Sequence, residues 1–133
     1  MPMSRPLTLI LPQRRRSVPA SFAWLDRQLR TQRVLARVHS DDIALYVFLV
    51  LAADRDGLSC WRLDRMEREL PLDGGALVTA RRRLIEAGLI AFRPWSARSR
   101  DGTYQVLSIE PCDDSPRRGG LAALRDVLGP NER

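Results

Sequence analysis

The chain of 133 residues has no lysine, one histidine and two cysteines, and aromatic residues make up only 6% of it. Each scarcity closes off a class of function. His39, the single histidine, precedes a helix start and has no visible catalytic partner, so no paired nucleophile and histidine can be traced. Cys60 and Cys112 have no second cysteine or histidine at zinc-ligand spacing. They read as reduced thiols of a cytoplasmic protein. There is no Gly-rich phosphate loop, and the paired acids Asp54 and Asp56, or Asp113 and Asp114, fall in turn and linker sequence without a further ligand group. The expectation is a protein that is not an enzyme, with no cofactor and no metal. No apolar run approaches the roughly 18 residues of a membrane span. The short run Leu7–Leu11 lacks a small-residue cleavage site, so neither secretion nor membrane insertion is expected.

What the chain has in abundance is arginine, which supplies all 22 basic side chains against 16 acids for a formal charge of +6. The guanidinium fork pairs two-pronged with phosphate or guanine, although an all-arginine composition is equally what a GC-rich genome produces. Distribution says more than the total. From Met1 to Val38 the chain carries Arg5, Arg14, Arg15, Arg16, Arg27, Arg30, Arg33 and Arg37 against Asp26 alone, a net +7, and the remainder is near neutral. A basic arm on a balanced domain suits a polyanion, the alternative being a solvated tail that aids solubility.

Pro2, Pro6, Pro12 and Pro19 rule out a long helix before Ala20, leaving Leu7–Leu11 as a short strand candidate followed by Arg14, Arg15 and Arg16. Ser21 is placed to cap a helix over Phe22–Arg37. Ser40 is placed to cap a second, and its apolar run Ile43–Ala52 marks the buried centre of the core. Asp54–Gly57 reads as a turn, Leu58–Trp61 as a strand, and Arg62–Leu70 as a short helix that Pro71 ends.

The next segment separates apolar from basic positions most cleanly. Asp73 is a helix N-cap, Gly88 lies just past the end, and Leu77, Ala80, Leu84 and Ala87 form an inward stripe. Gly75, Thr79, Arg82, Arg83 and Glu86 look outward, with Arg81 on the flank. Two short helices joined by about three residues, the second basic outside, have the layout of a helix-turn-helix. Leu89–Arg93 and Thr103–Ile109 then alternate as two strands of a hairpin whose polar, mobile tip carries Arg98 and Arg100. Residues 111–120 read as a linker, and Leu121–Leu128 as a short helix that needs a surface to dock on.

The order of these elements, the run Gly57-Leu58-Ser59, the stretch Leu84-Ile85-Glu86-Ala87-Gly88-Leu89-Ile90 and the arginine-tipped hairpin resemble the winged-helix DNA-binding proteins of bacteria. Regulators of the MarR type and the winged-helix domains of plasmid replication initiators are among them. The resemblance covers about half the chain. It implies an α+β, mostly helical fold, a winged helix-turn-helix at 21–110 with its preceding helix, to which the composition adds a basic N-terminal arm at 1–20 and a linker and short helix at 111–133. It further implies a recognition helix at 73–87, a wing at 94–102 and double-stranded DNA as partner, with transcriptional regulation as the expected role. On helix position, Thr79 and Arg82 are expected nearest the bases and Arg81 and Arg83 nearer phosphates. Arg98 and Arg100 are expected on backbone or minor groove, and Arg14, Arg15 and Arg16 to add salt-dependent affinity. A homodimer follows only from the symmetry usual in DNA sites. Two other readings stand beside this one: an accessory DNA-binding subunit for plasmid replication or transposition, and a protein-binding winged helix in a larger complex.

Overall fold

The structure is a computed structural model and describes residues 5–110. The expected linker and the Leu121–Leu128 helix lie outside the described residues. In chain order the elements are α1 (Gln28–Thr31), α2 (Val34–Arg37), α3 (Ser40–Ala52), β1 (Leu58–Trp61), α4 (Leu63–Glu69), α5 (Gly74–Glu86), β2 (Ile90–Pro94) and β3 (Gly102–Val106). The fold class is therefore α+β, five helices with one three-stranded antiparallel sheet among the described residues.

Helix α3 starts where Asp42, at its third position, accepts the backbone N–H of His39 at 2.9 Å. His39 is thus the N-cap and Ser40 the first helical residue, one place earlier than the hydroxyl of Ser40 suggested. Leu45, Tyr46 and Leu49 of α3 are buried, as expected of the core's centre, while Leu51 at its end is 69% exposed. Against them pack Leu63 and Met66 from α4, Leu77, Ala80 and Leu84 from α5, and Leu89, Ile90 and Tyr104 from the hairpin. Fully burying a leucine stabilises by about 1.5–3 kcal/mol, so these side chains fix the relative placement of the three longer helices.

Local chemistry sets each boundary. Asp73 is extended and its Oδ1 accepts the N–H of Ala76 at 2.8 Å, starting α5 as the sequence predicts. Gly88 takes a φ of +78° beyond the end, and the N–H groups of Gly88 and Leu89 return to the carbonyls of Ile85 and Leu84. That pair of bonds is a Schellman cap, and it aims Leu89 and Ile90 inward as the chain enters β2. In the turn before β1, Asp54 Oδ1 accepts from Asp56 and Leu58, so backbone hydrogen bonds hold its carboxyl below the ordinary value. The sheet order is β1-β3-β2, with Ser59 and Phe92 flanking Tyr104 on the central strand.

Two N-terminal expectations are corrected. Phe22–Arg37 is not one helix: the chain stays non-helical until Arg27, and Arg33 at φ +60° separates the single turns α1 and α2. The carboxylate of Asp26 accepts the N–H of Gln28 at 2.8 Å and so starts the helical turn there, five residues after Ser21. Leu29 and Val34 reach the core on either side of the Arg33 bend, and Phe22, Trp24 and Leu25 are left exposed. Leu7–Leu11 forms no strand. Leu7 and Ile10 are 97% and 92% exposed, with no sheet partner to hold the run extended, and the chain turns instead into a 3-10 turn at Pro12–Arg14.

Candidate nucleic-acid interface

Helix α5 presents an outward face made by Gly75, Thr79, Arg82 and Glu86, all at least partly exposed. Thr79 and Arg82 lie on it as expected. The Arg82 side chain is 61% exposed and its Nε sits 4.0 Å from Glu86 Oε2, one helical turn on. At that separation and exposure the pair contributes no more than a few tenths of a kcal/mol, which leaves the guanidinium available to a ligand.

The neighbouring arginines are placed differently from the sequence expectation. Arg83 turns away from the outer face and its Nε donates to both oxygens of Asp42, at 3.0 and 3.1 Å. Asp42 is fully buried on α3, so a carboxylate with no access to water draws the guanidinium inward. Arg83 therefore ties α5 to α3 through its Nε, with its side chain 31% exposed.

Arg81 is further inside, at 9% exposure. Its Nη1 donates to the hydroxyl of Tyr104 and to the backbone carbonyl of Arg100, both at 2.9 Å, and its guanidinium carbon lies 3.9 Å from the centre of the Phe92 ring. Position 81 follows Leu77 by four residues and precedes Leu84 by three, which puts it on the buried stripe. A planar, weakly hydrated cation can occupy that position because an aromatic face and two oxygen acceptors meet it. The assignment of Arg81 to phosphate is corrected on this ground. Burial raises the Tyr104 hydroxyl above the ordinary tyrosine value, opposed by Arg81 and assisted by Asp101.

The segment between β2 and β3 carries Arg98 and Arg100, with both side chains at the surface. It is not a loose tip. The N–H of Trp95 donates to the carbonyl of Asp101 at 3.0 Å, Ser99 Oγ and the backbone of Asp101 exchange two further bonds, and Asp101 Oδ1 accepts the N–H of Leu63 at 2.6 Å. Arg100 and Asp101 are thereby held from α5 on one side and from the first turn of α4 on the other. Arg93 on β2 is a further exposed arginine beside this loop, and the sequence reading did not single it out. Its place one residue before Pro94, at the outer end of an alternating strand, was the available signal.

Arg14, Arg15 and Arg16 are exposed at and just after the 3-10 turn of the N-terminal segment. On another side of the domain, a groove of about 660 Å³ lies between the segment Ser21–Asp26 and the ends of α3 and β3, lined by Phe22, Trp24, Tyr46, Leu51 and Ile109. None of the α5 or loop arginines lines it. Among the described residues no group of three His, Cys, Asp or Glu side chains is placed to hold a metal ion, and no helix is long and apolar enough to cross a membrane. In comparisons with known proteins, no family model and no curated sequence matches this chain.

Proposed function

We propose that residues 21–110 are a winged helix-turn-helix that binds double-stranded DNA, with α5 as the recognition helix and the loop between β2 and β3 as the wing. One observation carries the reading: the outward face of α5, with Thr79 and Arg82, adjoins an arginine-bearing loop tied to the same helix by Arg81. A helix and an adjoining loop suit a major groove and the phosphate backbone beside it. The order α4, turn, α5, hairpin supports the same assignment. Transcriptional regulation is the role we propose for it, with a homodimer reading a symmetric site.

The reduced set of free cations sharpens the contacts. Thr79 and Arg82 meet base edges, Arg93, Arg98 and Arg100 meet backbone or minor groove, and the arm residues Arg14, Arg15 and Arg16 supply salt-dependent affinity. Arg82→Ala is expected to cost about 1–3 kcal/mol on the preferred site and to relax base preference there. Equal weakening on all sequences would place Arg82 on the backbone instead. Replacing Arg14, Arg15 and Arg16 together with alanine is expected to flatten the slope of log K against log salt by up to about 2.7 if all three neutralise duplex phosphates. An unchanged slope would remove the arm from the interface.

A protein-binding winged helix is the second reading. It is favoured by the internal engagement of Arg81 and Arg83 and by Glu86 beside Arg82, which lighten the positive charge of the α5 face. Full retention of duplex affinity in Arg82→Ala and in a variant lacking Arg98 and Arg100 would support it.

A further inference from the structure

The contacts of Arg81 go beyond a packing role. A single nitrogen of a nearly buried cation reaches across from α5 to the main chain of Arg100, and the adjoining Asp101 carboxylate reaches across to the N-terminus of α4. The two tethers attach successive residues of the loop to the two helices of the helix-turn-helix. Phe92 lies under the guanidinium at 3.9 Å and stacks against Tyr104 with ring centres 4.8 Å apart, so the base of the hairpin is closed by the same cation.

We infer that Arg81 is a positioning residue for DNA recognition: it clamps the wing to α5, so that Arg98 and Arg100 meet the backbone at a fixed distance from Thr79 and Arg82. This rests on the DNA-binding reading given above. An unclamped seven-residue loop samples many conformations, and each phosphate contact would then have to order the loop as well as desolvate the arginine. With the carbonyl of Arg100 fixed, the helix and the wing act as one rigid surface. Arg81 itself touches no DNA.

The test is a double-mutant cycle on the full chain, titrated against a mixed-sequence duplex of about 25 base pairs near 0.1 M salt. Removing Arg98 and Arg100 together is expected to weaken the wild type by about tenfold or more, since each phosphate contact carries its own counterion term. In an Arg81→Met background the same removal is expected to cost at least about threefold less, because the remaining bonds of the loop run to itself and to α4 and do not fix it against α5. A folded Arg81→Met protein in which Arg98 and Arg100 keep their full effect overturns the clamp. Where Arg81→Met fails to fold, Arg81→Lys keeps the charge, loses the planar fork that meets Phe92, Tyr104 and Arg100, and reads the same coupling. Hydrogen exchange at the amides of residues 96–101 judges the clamp without DNA: faster exchange in either variant supports it, and unchanged exchange overturns it. A wild type that binds no duplex while its variants show faster exchange would retain the clamp and sink the DNA-binding reading.

Discussion

Asp42→Ala is expected to lower the stability of the domain by about 2–4 kcal/mol, a large part of what keeps a marginally stable protein folded. Asp42 has no exposed surface, and its two oxygens receive Arg83 Nε at 3.0 and 3.1 Å and the N–H of His39 at 2.9 Å. Alanine leaves the Arg83 guanidinium without its counter-charge and, in the same step, removes the bond from the His39 N–H that helps start α3. The capping bond alone accounts for about 1 kcal/mol, and the lost charge-assisted hydrogen bonds from Arg83 for most of the rest. Arg83→Ala is milder in geometry but leaves a carboxylate buried without its guanidinium, and it should also destabilise. The pair Asp42→Leu with Arg83→Met is expected to regain much of the loss, since well-packed apolar groups of similar volume replace a buried ion pair at little cost. Urea unfolding followed by far-UV circular dichroism measures all three. A loss below about 1 kcal/mol for Asp42→Ala would mean that water solvates the pair and that α3 and α5 are joined by packing alone.

Gly102→Ala is the second large effect, a loss of about 3 kcal/mol that opens the hairpin at its root. Gly102 pairs with Trp61 on one side and Pro94 on the other, in the central strand. A Cβ there would lie 2.2 Å from the carbonyl oxygen of Arg93 and 2.7 Å from the Phe92 ring. Neither neighbour is the free end of a flexible chain, because one is backbone in a ladder and the other is the ring beneath Arg81. The methyl group must push β2 away from β3 or move Phe92 out of its contact with the cation. Either movement frees the loop between β2 and β3, so the unfolding midpoint should fall and, on the proposed DNA-binding reading, duplex affinity with it. Gly75→Ala is the control for stability alone, since a Cβ at that position meets only Asp73 Oδ1 at an ordinary 3.6 Å. Equal melting temperatures for Gly102→Ala and the wild type would show that the two strands are more loosely joined than this register requires.

How far the sequence reaches can be judged element by element. Leu58–Trp61 was legible as a strand and Asp73 as the cap of α5, because turn chemistry and side-chain capping act within a few residues. The hairpin was legible from alternation, though β3 ends at Val106 rather than Ile109. The fate of Phe22–Arg37 was not. Its apolar spacing is helical, but Asp26 caps a later turn and Arg33 adopts φ +60°, a conformation set by docking Leu29 and Val34 together. Within the site, Thr79 and Arg82 follow directly from helical angle. Arg81 was misplaced because its charge was weighed above its angle, which puts it 40° from Leu77 on the inward stripe. Arg83 could not have been placed at all without Asp42, forty-one residues away in sequence, and the Asp101 tether to α4 is equally non-local. Long-range partners for charged side chains are what periodicity cannot supply.

Selection of bound duplexes from a random-sequence pool, using the full purified chain at about 50 mM salt, tests the central claim most directly. The account expects an enriched motif, with at least one position whose preference is lost when Arg82→Ala is selected in parallel and the motif otherwise kept. Retention of no duplex above background, or enrichment identical in the wild type and Arg82→Ala, would contradict the assignment of α5 as a helix that reads DNA.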